Sequence, residues 1–210
     1  MKPETVTRLM STPESYNTIG QASSAEYKDR GSRFLAYVYP IQSVDDFKRQ
    51  LKALKEEHSK AAHHCAAYRL GTEGTEFRAS DDGEPAGSAG KPILNQIDSK
   101  KLSNVAVIVV RYFGGTLLGV PGLINAYKTA TSLALQLTPI IEKPVFVFYE
   151  LQFDYTVMND VMMVIKRFGC TVVQNEMQLF CQVKIGVPKA EETLCLEKLK
   201  EMHMVEVTRR

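Results

Sequence analysis

Long apolar runs are missing from this chain of 210 residues. No stretch approaches the ~20 apolar residues that a membrane helix needs, so no membrane partner is expected. Residues 1–20 lack the apolar segment of a secretory signal, which makes the cytoplasm the expected location. Cysteine is scarce. Cys65, Cys170, Cys181 and Cys195 are the four, and no two are spaced like a metal knuckle. Reduced thiols and no structural metal are the expectation in such a compartment. An excess of either charge is missing too: 26 basic residues stand against 24 acidic ones, a net charge of +2. That leaves no global signal for nucleic acid, although a local cluster of Lys and Arg can still bind it. The nucleotide-hydrolysing loop G-x-x-x-x-G-K-[ST] and the Ca²⁺-loop spacing are both absent, and no cofactor is implied.

What is present is ordinary globular composition, 44% hydrophobic and 24% charged, enough for one or two domains. Glycine is unevenly spread. Gly83, Gly87, Gly90, Gly114, Gly115, Gly119 and Gly122 make up seven of the 13 glycines and fall in two turns. Between these turns runs an apolar stretch, residues 105–110, that ends in Arg111-Tyr112-Phe113. Glycine serves where φ is positive or where another group approaches the backbone closely. The clustering therefore predicts a surface feature built from main chain.

The pattern before this segment predicts a polar lead over residues 1–16. A strand is expected over 17–26 and another over 33–39, ending at Pro40. Ser43 is a helix N-cap with Asp46 three residues on, and Phe47, Leu51 and Leu54 follow at helical spacing. Residues 63–70 and 75–80 read as a hairpin. A helix over 88–97, capped by Ser88 with Pro92 in its early turn, follows the first glycine loop. Residues 105–110 read as a strand buried on both faces, and 123–137 as a helix. A linker is expected near 142–144. Beyond it the predicted order is strand 145–153, helix 157–168, strands 171–174 and 178–187, helix 188–203 and strand 204–208. That is β-α-β-β-α-β, the ferredoxin-like order. The fold class expected is α+β with two domains, at 17–142 and 145–208.

Four groups of residues carry candidate chemistry. Asp81, Asp82 and Glu84 place three carboxylates within four positions; either the three hold a cation through oxygen, or Asp81 and Asp82 cap turns and pin Arg78, Arg111 or a backbone amide. The stretch Gly87-Ser88-Ala89-Gly90-Lys91 feeds a helix start, where backbone N–H groups can cradle an anion; the alternative is a plain helix cap. Cys65 beside His63 and His64 raises thiol catalysis, but alternation puts His64 and Cys65 on opposite strand faces, which favours a lining or buried role. The other three cysteines read as core. Finally, Arg111, Tyr112 and Phe113 before Gly114 and Gly115 offer stacking and phosphate contact to single-stranded nucleic acid, unless Arg111 pairs with Asp81 or Asp82 and the aromatics pack beneath the loop.

The run from Asp81 to Leu94, then Val109 to Gly115, then Gly122-Leu123 and Ala126-Tyr127 resembles the YigZ/IMPACT family. Gly31-Ser32-Arg33-Phe34 and His64-Cys65-Ala66-Ala67-Tyr68 match it as well. The resemblance implies an N-terminal α/β sandwich similar to domain IV of elongation factor G, and a ferredoxin-like C-terminal domain similar to that factor's last domain. It implies no reaction. Eukaryotic relatives regulate translation initiation by binding a kinase activator, and bacterial ones look nucleic-acid- or ribosome-associated. The chain departs from the family pattern at Leu117 and Asn125, where Lys and Arg are expected, and at Pro121, which replaces a glycine. Each lost phosphate contact flattens the salt dependence of binding by about one unit.

These readings predict a non-enzymatic factor that binds RNA or the ribosome. Lys91, Arg111, Tyr112 and Lys128 are the expected nucleic-acid contacts, with Asp81, Asp82, Gly83, Glu84, Gly87, Ser88, Gly90, Gly114 and Gly115 forming the loops. The alternative is a protein-binding regulator, favoured by Leu117, Leu118, Val120 and Pro121 at the tip of the second loop. A third reading is a small-molecule enzyme using Cys65, His63 and the Asp81-Asp82 loop.

Overall fold

A computed structural model describes residues 13–177 and 180–210. Most of the predicted lead over 1–16, and the first two residues of the strand predicted over 178–187, lie outside the described residues. The described residues divide into two compact units, Tyr16–Lys143 and, with residues 13–15, Pro144–Arg210.

The first unit begins with β1 (Ser15–Ile19), β2 (Ser23–Asp29) and β3 (Ser32–Pro40), then α1 (Val44–Glu57). The hairpin β4 (His63–Leu70) and β5 (Glu76–Ser80) follows, then α2 (Gly90–Ser99), β6 (Val105–Tyr112), α3 (Gly119–Gln136) and β7 (Ile140–Pro144). Five strands form one sheet in the order β2-β3-β6-β4-β5, and β1 pairs with β7 in a separate ribbon. The sheet is antiparallel throughout. The unbroken apolar run of β6 is therefore not a parallel-strand signature. It follows from a central position with helices over both faces. Val105, Val107 and Val109 join the core under α2 and α3. Ala106 and Ile108 join the core under α1, with Phe47 and Leu54.

Several expectations shift for physical reasons. The strand predicted over 17–26 is two strands, because the chain turns at Gly20: its N–H bonds the Pro139 carbonyl at 3.1 Å, and the Thr138 hydroxyl donates to the Gln21 carbonyl at 2.7 Å. The stretch expected as a linker near 142–144 is the end of β7. Helix α1 starts at a full capping box: the Asp46 N–H donates to Ser43 Oγ, and the Ser43 N–H to Asp46 Oδ2, both at 3.1 Å.

The second unit holds β8 (Phe146–Phe153), α4 (Met158–Arg167), β9 (Thr171–Met177), β10 (Cys181–Pro188), α5 (Glu192–Lys200) and β11 (Val205–Arg209). Its sheet runs β11-β8-β10-β9, antiparallel throughout. This is the ferredoxin-like arrangement. Leu151, Phe153, Val183 and Ile185 pack against Val161, Ile165, Cys195 and Leu199 of the two helices. Both helices are shorter than predicted, since single 3₁₀ turns at Tyr155–Val157 and Lys189–Glu191 precede them.

Candidate functional site

The first glycine loop is folded around its own carboxylates. Asp81 Oδ1 accepts the N–H groups of Ala89 at 3.0 Å and Gly90 at 2.8 Å, and its Oδ2 accepts that of Gly87 at 2.9 Å. Burial pushes the Asp81 carboxyl up, but the three N–H donors outweigh it and hold the group below its ordinary value. The helix terminus expected to hold an external anion is thus already filled from within. Ser88 is not the cap: its hydroxyl turns back to the Pro85 carbonyl at 2.7 Å, and α2 begins at Gly90. A Cβ on Gly90 would meet the Ser80 backbone at 2.5 Å, so only glycine lets the helix start reach the sheet.

Asp82, at φ +42°, turns the other way. Its Oδ2 accepts the His64 N–H at 2.7 Å, its carbonyl accepts from His63 Nδ1 at 2.8 Å, and Lys55 Nζ stands 3.3 Å from its Oδ1. Gly83 is exposed beside the His63 ring. Glu84 is the third carboxylate and is 3% exposed at its side chain. Its Oε1 accepts from Arg111 Nη1 at 2.6 Å and from the Tyr127 hydroxyl at 2.7 Å. The three carboxylates serve three separate sets of partners and do not converge on one cation.

Cys65 completes this network. Its Sγ lies 2.9 Å from the Asp81 carbonyl and 3.2 Å from the Tyr127 hydroxyl. Burial, opposed in part by the Tyr127 hydrogen bond, pushes the Cys65 thiol up to about 12. Burial is likewise the first cause raising the Tyr127 phenol. His63 Nε2 is 3.9 Å from Glu84 Oε1. Buried, with its sulfur on the Asp81 carbonyl and the Tyr127 hydroxyl, Cys65 serves as a hydrogen-bond donor within the core.

Of the expected nucleic-acid residues, Arg111 and Tyr112 turn to opposite faces of β6. Arg111 lies on the face of Val107 and Val109, 5% exposed, bound to Glu84 and with its guanidinium 5.5 Å from the Phe34 ring centre. Its charge is spent inside the fold. Tyr112 points to the opposite face, where its hydroxyl bonds His58 Nδ1 at 3.0 Å. Lys91 in the first turn of α2 and Lys128 on α3 are exposed, and neither is paired with a carboxylate among the described residues.

The second loop is open. Gly114 packs on the turn at Gly31, where a Cβ would come within 1.9 Å of the Gly31 backbone, and its N–H donates to Ser32 Oγ at 3.1 Å. From that anchor the chain swings outward through the exposed Gly115. Phe113, Leu117, Val120 and Ile124 are all exposed, with Leu117 at 81%. Helix α3 starts at Gly119, earlier than predicted, and takes Pro121 into its first turn, where a missing N–H costs nothing.

Sequence reasoning missed the roles of Glu84 and Tyr127. A usable signal was present for the second. Tyr127 falls in the buried stripe Leu123, Ala126, Ala130 and Ala134, and a tyrosine in such a stripe needs a partner for its hydroxyl.

The fold and this site define a two-domain α+β protein whose N-terminal domain carries a carboxylate-closed glycine loop beside an apolar open one. No described helix is long and apolar enough to cross a membrane. Residues 30–135 match the Impact N-terminal domain. The chain is 32% identical over 171 residues to an IMPACT family member of Haemophilus influenzae, covering 80% of this chain and 82% of that one. It is also 32% identical over 162 residues to the IMPACT family member YigZ of Escherichia coli, covering 76% and 79%. A solved structure described only as that of a hypothetical protein superposes with a TM-score of 0.75 at 28% identity, over 93% of this chain and 97% of that one. The chain belongs to the IMPACT family.

Proposed function

We propose that this chain is a non-enzymatic, translation-associated regulator that acts by docking its second glycine loop on a protein surface of the translation machinery. One observation carries the choice of partner. The loop displays Phe113, Leu117, Val120 and Ile124 to solvent, whereas Arg111 at its base is buried on Glu84. An exposed apolar cluster of this kind suits a protein contact. The link to translation rests on the family resemblance. RNA remains the second reading, because Lys91 and Lys128 are exposed and unpaired with carboxylates among the described residues.

Co-sedimentation with purified ribosomal subunits, at low and at physiological salt, separates the two. Docking by the apolar tip predicts association that changes little with salt, is lost in Leu117→Asp and survives in Lys91→Glu/Lys128→Glu. Association that falls steeply with salt and with the double lysine variant, while Leu117→Asp binds normally, transfers the function to RNA. No association under any condition overturns a ribosomal partner.

A further inference from the structure

Two of the four cysteines meet in the second unit. Cys170 Sγ and Cys195 Sγ are 3.7 Å apart across 25 residues of sequence. Both are held by rigid backbone. Helix α4 ends in a left-handed Gly169 at φ +61°. The N–H groups of Phe168, Gly169 and Cys170 return to the carbonyls of Val164, Lys166 and Ile165 at 3.1, 3.2 and 2.9 Å. This C-cap pins the residue that leads into the edge strand β9. Cys195 sits in α5, fully buried against the core that holds Leu199. Cys170 is half-buried. A disulfide needs the sulfurs at ~2.05 Å, so the pair has to close by ~1.7 Å. Rotation about the two Cα–Cβ bonds is the motion available for this.

We propose that Cys170 and Cys195 are a reversible dithiol–disulfide site, oxidised by hydrogen peroxide or another small hydroperoxide. The two sulfurs have different parts. The hydrogen bond between the two sulfurs holds the Cys170 thiol below its ordinary value. The same bond, and burial after it, push the Cys195 thiol up. Cys170, the more exposed sulfur, is therefore the attacking thiolate, and Cys195 resolves. In the first step the Cys170 sulfur attacks one peroxide oxygen. The O–O bond breaks, hydroxide leaves, and Cys170 becomes a sulfenic acid. The Cys195 sulfur then attacks the Cys170 sulfur. The S–O bond breaks, and the departing hydroxide takes the Cys195 proton as water. Two thiols and one hydrogen peroxide give one disulfide and two waters. Cys65 stands outside this chemistry, since its thiol is buried on Asp81 and Tyr127, and Cys181 is buried in a strand.

The test uses the full reduced chain, a small excess of hydrogen peroxide, alkylation of the remaining thiols under denaturing conditions, and peptide mapping without reductant. The expected product is a single linked peptide pair carrying Cys170 and Cys195. The titratable thiols fall from four to two, Cys65 and Cys181 are alkylated, and dithiothreitol restores all four. In Cys195→Ser the link is lost and dimedone captures the sulfenic acid on Cys170. In Cys170→Ser the same peroxide exposure leaves the other three thiols intact. The proposal is overturned if wild-type Cys170 is carried to sulfinic acid while Cys195 stays free. Oxidation of all four cysteines at similar rates, or linkage only between molecules, overturns it too. The mapping of the wild-type chain decides by itself, so a serine variant that folds poorly does not leave the question open.

Discussion

The loop at 81–90 and the loop at 113–119 both turn on glycine, but the first is closed by its own carboxylates and the second stands open. In the first, Asp81 fills the start of α2, Asp82 binds the backbone of β4, and Glu84 is buried beneath Arg111 and Tyr127. In the second, glycine fits the chain against the Gly31 turn and then releases it, leaving Leu117 81% exposed. The same residue type thus serves internal satisfaction in one loop and display in the other. A glycine-rich segment becomes a ligand site only where its N–H groups are left without a partner from the chain itself.

Breaking the closed loop should cost stability, and the largest loss belongs to the buried pair. Arg111→Ala leaves the Glu84 carboxylate uncompensated in the core, which is expected to destabilise the first unit by about 3–5 kcal/mol. Urea unfolding followed by a probe in that unit reads it. Replacing both partners with apolar residues, Arg111→Met with Glu84→Leu, should recover much of the loss, since the charge left behind is what costs most. If the single and double variants are equally unstable, the pair is not what closes the loop. Asp81→Ala comes next, at about 2 kcal/mol, the upper end for a lost helix cap, because three N–H groups lose their acceptor. Its pH dependence has a definite sign. Asp81 holds its proton more weakly folded than unfolded, so its contribution is fully present above the unfolded value and is lost as the pH falls below about 4. Acid titration of stability should therefore be flatter in Asp81→Ala than in the wild type.

Much of the fold was legible because periodicity and caps agree with it. The Ser43–Asp46 box, the apolar spacing of α1 and the β-α-β-β-α-β order all survive in the structure. The site was less legible, and Arg111 shows why. Alternation along β6 places it on the face of Val107 and Val109. With every residue from 105 to 110 apolar, though, nothing in the sequence marks which face lies under α2. The reading by residue type, a cation and aromatics before glycine, therefore suggested a surface contact. Glu84 was noticed only as part of an acidic run, because its partners lie 27 and 43 residues away. The ribbon of β1 and β7 was missed for the same reason. Each strand is five residues long and shows itself only through its partner.

Leu117→Asp tests the open side of the comparison and should have the smallest effect on folding. Leu117 touches little of the core, so the substitution is expected to change stability by no more than about 0.5 kcal/mol, readable as an unchanged urea midpoint. Its effect on docking should be the reverse, a loss of association of at least about tenfold, or about 1.4 kcal/mol, because a carboxylate at the tip must be desolvated against an apolar partner surface. Arg111→Ala separates the loops from the other direction. It opens the closed loop and removes the guanidinium 5.6 Å from the Phe113 ring centre, yet the anchor of the second loop at Gly114 and Ser32 is made without it. At a temperature where Arg111→Ala is still folded, it should dock as the wild type does. Normal docking by Leu117→Asp together with loss of docking in folded Arg111→Ala would mean that the closed loop, not the open one, carries the contact.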